Sequence, residues 1–106
     1  MRNEIRNGVS SYMSVIAQNV RKLRGSMSQT EFAKKVAVSP ATIHRIESRK
    51  NYQIESLLRI AFSCGLFPYE MCLTDEERIK LQLRTDVLVE SFKEIVKKEI
   101  LAELRK

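Results

Sequence analysis

Apolar residues recur at helical spacing along most of the chain, and caps, prolines and glycines cut the pattern into successive helices. A first helix is predicted from about Ser11 to Arg24, with Tyr12, Met13, Ile16, Val20 and Leu23 on one stripe and Gly25 as its stop. Residues 1–10, MRNEIRNGVS, show little periodicity and contain Gly8, so they read as a poorly ordered arm or a short turn before the globular unit. Arg2 and Arg6 of that arm are able to touch a nucleic-acid backbone, although a frayed terminus is the simpler reading.

The stretch Ser28 to Glu47 holds two short helices. Ser28 and Glu31 have the spacing of a capping box, and Ser39-Pro40 is a second start, because serine accepts from the free N–H groups of the next turn while proline loses no bond there. Ala37 and Val38 are left for the turn. Phe32, Ala33 and Val36 share a face of the first helix, and Ile43 and Ile46 give the second an apolar side. After a polar loop, Ser48 to Gln53, a further helix is predicted from about Ile54 to Cys64, with Ile54, Leu57, Leu58, Ala61 and Cys64 inward and Gly65 as its end. Pro68 suits the first turn of a short helix to Leu73.

From Thr74 the composition becomes charged and helix-favouring without Gly or Pro, and Thr74 with Asp75, Glu76 and Glu77 suits a helix start. This segment is either one long helix or two, since Thr85-Asp86 offers a second start. Leu88, Val89, Phe92, Ile95, Val96 and Ile100 form a broad apolar stripe there, flanked by Glu90–Lys93, Glu94–Lys97 and Glu94–Lys98 pairs. The expectation is an all-α chain in three parts: an arm over 1–10, a globular unit over 11–73 and a C-terminal helical dimerisation segment over 74–106.

Charge sharpens this picture. The net charge is +6, and residues 21–59 alone carry nine Lys or Arg against Glu31, Glu47 and Glu55, so the excess positive charge coincides with the paired short helices. Localised in that way, it favours a polyanion partner. Cys64 and Cys72 are too few for a disulfide framework and lie near no zinc-type cluster, so two reduced, partly buried thiols are expected. No apolar run approaches membrane length and no leader pattern opens the chain, so a cytoplasmic protein with no membrane partner is expected. One histidine, no phosphate-cradling glycine loop and no metal motif argue against an enzyme, a metal or any other cofactor.

Gln29, Ala33, Val38, Ile43, Ile46 and Glu47 together resemble the helix-turn-helix of the Cro and lambda-repressor (Xre-type) class, and the resemblance runs through ESLLRIAFSCGL to cover about residues 15–73. It departs at Ala37 and Arg49, where the family usually has glycine, and in the short GSM connector before Ser28. These departures bear on local geometry more than on the fold. The resemblance implies a five-helix DNA-binding domain whose second motif helix, about residues 40–48, enters the major groove.

Carried over residue by residue, the resemblance places Pro40, Ala41, His44 and Arg45 against the bases, with Arg45 able to donate twice to guanine and Ala41 to meet a thymine methyl. Gln29, Ser39, Thr42, Arg49, Lys50, Asn51 and Tyr52 are expected on phosphates. A phosphate contact or surface ion pair is the plainer role for Arg45, and a solvated charge run the plainer role for the loop. Glu47 resembles the family's structural carboxylate, paired with Arg21 or Arg24 of the first helix. The implied function is a transcriptional regulator, most simply a repressor, that binds an inverted-repeat operator as a homodimer. An antitoxin holding a toxin protein, a restriction–modification controller and a protein-interaction adaptor that has lost DNA binding are the alternatives. The positive charge opposes the last.

Overall fold

Two serines start the two central helices by the forward bonds their spacing predicts, while the return bond from the Ser28 N–H to Glu31, the other half of a capping box, is not made. Ser28 Oγ accepts the Glu31 N–H at 3.1 Å and opens α2 (Gln29–Val36), and Ser39 Oγ accepts the Thr42 N–H at 3.1 Å and opens α3 (Pro40–Glu47). The computed structural model describes residues 2–105. Around that pair stand α1 (Arg2–Arg24), α4 (Ile54–Ser63) and a 3-10 turn (Pro68–Cys72), followed by α5 (Asp75–Leu104). The fold is all-α, and the chain divides into two compact units, Met1–Thr74 and Asp75–Lys106. Among the described residues no helix is long and apolar enough to cross a membrane.

The core of the first unit is built from one face of each element. Phe32, Ala33 and Val36 of α2 and Ile43 and Ile46 of α3 meet Ile16 and Val20 of α1, Leu57, Ile60 and Ala61 of α4, and Met71 of the 3-10 turn. Two apolar stripes run past the helices that cover them. Tyr12 and Ile54, expected inside, are 58% and 68% exposed, while Ile60, outside the expected set, is fully buried. Cys64 and Cys72 are free, half-buried thiols that pack on this core, and burial pushes both above the ordinary thiol range.

α1 begins at Arg2, not near Ser11, so residues 2–10 are helical where an arm over 1–10 was expected, residue 1 lying outside the described residues. Ile5 and Val9 extend a row at four-residue spacing toward Met13, and Glu4 lies in the first turn, where a negative charge suits the helix dipole. Gly8 costs about 1 kcal/mol relative to alanine in a helix, too little to end one that is otherwise well formed.

Three helices of the first unit close with the same device. In a Schellman ending the residue after the cap is left-handed, and the next N–H reaches back five residues. Leu66 N–H donates to Ala61 O at 2.9 Å, Val38 N–H to Ala33 O at 3.1 Å and Lys50 N–H to Arg45 O at 2.8 Å. The left-handed residues are Gly65 (φ 72°), Ala37 (φ 59°) and Arg49 (φ 61°). Only the first suits that conformation. Replacing Ala37 by glycine is expected to stabilise the fold by about 0.5–1 kcal/mol, the relief of left-handed strain less glycine's extra freedom in the unfolded chain. The thermal midpoint should rise by a few degrees; an unchanged or lower midpoint would contradict the strain.

α5 is one helix. Thr85 does not cap a second start; its hydroxyl donates to Leu81 O at 3.0 Å, a bond back to the preceding turn that leaves the helix continuous. Lys80–Glu76 and Lys93–Glu90 pairs, at 3.3 and 3.5 Å, lie on its surface. None of its residues is buried.

Candidate nucleic-acid interface

The inward pull of Ile43 and Ile46 decides what α3 shows outside. Pro40, Ala41, His44 and Arg45 are all exposed, as a helix with two buried isoleucines three residues apart requires. Thr42 is half-buried, and its hydroxyl shares a 2.7 Å hydrogen bond with Ser39 Oγ, so these two side chains complete the helix cap together. Arg45 donates through Nε to Asn51 O at 2.8 Å. That bond pins the loop after α3 to the helix and does not consume the terminal nitrogens of the guanidinium fork.

The loop itself carries Arg49, Lys50 and Asn51 exposed beside α3. Arg49 points its Nη1 toward Ser14 Oγ of α1 at 3.5 Å. Tyr52 is half-buried against the core, and burial, with a smaller contribution from Cys72, raises its phenol above the usual range. Gln29 opens α2 half-buried, and Lys34 and Lys35 are exposed in the same helix's last turn.

α3 is held in place by a buried carboxylate. Glu47 is 4% exposed and accepts from Arg24 Nε and Nη2 at 3.0 and 2.8 Å, a bidentate bond across α1 and α3. That bond raises the Arg24 guanidinium further above its ordinary value. Arg21 adds an Nη2 bond to Glu47 O at 2.9 Å and an Nε approach to the carboxylate at 3.5 Å. Of the two arginines left open by the sequence, Arg24 is thus the principal partner and Arg21 the second.

Asn19 is a structural residue that the sequence reading missed. It is buried in α1, and its Nδ2 donates to Met71 O at 2.8 Å and Leu73 O at 2.9 Å, tying α1 to the end of the 3-10 turn. The available signal was an amide flanked by Ile16 and Val20 on an apolar face.

On α5, Leu88, Val89, Phe92, Ile95 and Ile100 are exposed and Val96 is half-buried. Ile79, Leu83 and Val87, four residues apart and also exposed, form another stripe on the opposite side of the helix from Leu88, Phe92 and Ile95.

No protein-family model matches the chain, and no curated protein matches it. Among solved structures, a crystal structure described as the hypothetical transcription factor NHTF from Neisseria is similar to it. The two are 26% identical, with a TM-score of 0.58, over 66% of this chain and 84% of that one. The chain has an all-α, transcription-factor-like fold.

Proposed function

We propose that the protein is a sequence-specific DNA-binding regulator of the Cro and lambda-repressor type that acts in the cytoplasm as a homodimer on an inverted repeat, most simply as a repressor. The observation that carries this reading is α3 itself: a short helix that turns Pro40 and Ala41 outward at its start and His44 and Arg45 outward in its last turn, with Arg49 and Lys50 exposed in the following loop. Such a helix fits a major groove by shape, and the adjoining cations fit the phosphates on either side. The transcription-factor neighbour supports a regulator. An adaptor without DNA binding is disfavoured, because these exposed charges would then serve no partner.

In this reading Arg45 reads a base, with its Nε bond to Asn51 O fixing the direction of the fork. Ala41 meets an apolar base edge, while Gln29, Ser39, Thr42, Arg49, Lys50, Asn51 and Tyr52 border the phosphates. A toxin or other protein partner would engage the second unit, leaving the DNA surface unchanged.

Binding to a selected duplex should weaken with salt at a log–log slope of roughly −4 to −8, as expected when a dimer displaces several counterions per subunit. Arg45→Ala should cost about 1–3 kcal/mol and relax preference at one base position, whereas Lys50→Ala should weaken all sequences alike. A flat salt dependence would exclude the interface; an Arg45→Ala protein with unchanged affinity and preference would exclude the base assignment.

A further inference from the structure

The helical start of α1 gives the loop after α3 a neighbour. Arg6, Val9, Ser10 and Met13 of α1 face Ser48 and Arg49 across an open cleft of about 670 Å³. All but Met13 are exposed, so the cleft is a surface groove and not an enclosed small-molecule pocket. Its polar groups are two arginines and two serines, with no carboxylate among the lining residues. The one acidic residue of α1, Glu4, is two positions from Arg6, roughly 160° around the helix, and so on the other side. Arg2, Arg6 and Ser10, spaced by four, share one side and continue the row beyond the groove. Arg49 keeps a left-handed backbone that glycine would hold without strain, which places its long cationic side chain beside α1.

We infer that this groove is a phosphate-binding subsite in which Arg6 and Arg49 together hold the DNA backbone, extending the contact from the loop after α3 onto the first turns of α1. The inference rests on the proposed DNA-binding function and adds a surface to it. Arg6 from α1 and Arg49 from the loop line the same groove, so two guanidinium groups are available to one anion, the serine hydroxyls supply further donors, and Val9 and Met13 add apolar lining for the arginine stems. An extended polyphosphate chain suits an open groove of this kind.

The test uses the full-length protein and a duplex it selects from a random-sequence pool. Arg6→Gln, which keeps helix propensity, should lower affinity three- to tenfold and make the salt slope shallower by about two, one contact per subunit of the dimer. Arg6→Lys should retain the slope. Ethylation interference should show phosphates sensitive in the wild type and insensitive in Arg6→Gln, with helicity by circular dichroism and melting midpoint unchanged. If Lys50→Ala makes the slope shallower while Arg6→Gln leaves slope and interference pattern intact, the α1 subsite is overturned and the DNA-binding reading stands. If the wild-type chain shows no salt-dependent duplex binding at all, both are overturned.

Discussion

If the chain binds DNA as the proposed dimer, a version ending at Thr74 is expected to remain folded, to sediment as a monomer and to lose duplex affinity by on the order of 10²–10⁴-fold, the advantage of joining two half-site contacts in one molecule. The core of the first unit lies wholly before that point, between Ile16 and Met71, and Asn19 fastens the last turn through Met71 O and Leu73 O. By contrast α5 buries none of its own side chains, although Leu88 and Phe92 stand 70% and 67% exposed. Covering each such side chain is worth about 1.5–3 kcal/mol. A second copy is the simplest cover, since most soluble oligomers are two-fold symmetric. Read as heptads, Leu81, Thr85, Leu88, Phe92, Ile95, Glu99 and Ala102 form the seam, and Thr85 and Glu99 interrupt it, which favours a compact helix-on-helix contact over a long parallel coiled coil. Two-fold symmetry would then set the two recognition helices about 34–36 Å apart, one turn of DNA. Sedimentation and gel shift of the truncated chain decide the matter. A truncated protein that still dimerised would move the interface to the first unit, where Phe67 and Tyr69 stack in the open with ring centroids 5.9 Å apart.

Where a local rule acted alone, the sequence was enough. Ser28 and Ser39 specify helix starts by hydrogen bonds within three residues, Pro40 adds a preset φ at the first helical position, and Gly25 and Gly65 take positive φ after helix ends. Where two local rules competed, composition alone did not decide. Gly8 suggested a break that α1 does not make, and Thr85 suggested a start that its bond to Leu81 O cancels. Burial was legible as a stripe but not in its extent, because how far a neighbour covers a helix is a tertiary fact. Tyr12 and Ile54 fall beyond that cover, and Ile60 falls beneath it.

The outward residues of α3 follow from Ile43 and Ile46 being buried, so Pro40, Ala41, His44 and Arg45 were legible as an exposed set. The groove between Arg6 and Arg49 was not, since it joins residues more than forty positions apart across a helix that begins earlier than its periodicity suggested. On α5 the later stripe was legible and the opposite one was not. Ile79, Leu83 and Val87 lie on another side from the one Leu81 shares with Leu88, Phe92 and Ile95, so apolar residues fall on two sides and no single apolar face stands out along the helix.

Glu47→Ala is expected to destabilise the protein by about 2–4 kcal/mol, lowering the thermal midpoint by on the order of 10 °C. The magnitude follows from burial, and a pair of equal length elsewhere makes the comparison. Arg24 Nη2–Glu47 Oε1 and Arg59 Nη2–Glu55 Oε1 are both 2.8 Å. Glu55 is 65% exposed and four residues from its partner on one helix, so water solvates it whether or not the pair forms, and Glu55→Ala should cost no more than about 0.5 kcal/mol. Glu47 is 4% exposed, accepts two charge-assisted bonds from Arg24 and joins helices that, besides packing, are tied at that end by the Arg21 bond to the Glu47 backbone carbonyl. Removing it strands the Arg24 fork against the protein and frees the end of α3, from which the loop carrying Arg49 and Lys50 departs. Glu47→Gln, which keeps the shape and one strong acceptor, should fall between wild type and alanine. Because the carboxylate sits beneath α3 and not on its outer face, its loss should weaken DNA binding at every base position alike, at temperatures where the variant is still folded. Equal midpoints for Glu47→Ala and Glu55→Ala in thermal melts would show that the buried pair does not hold α3.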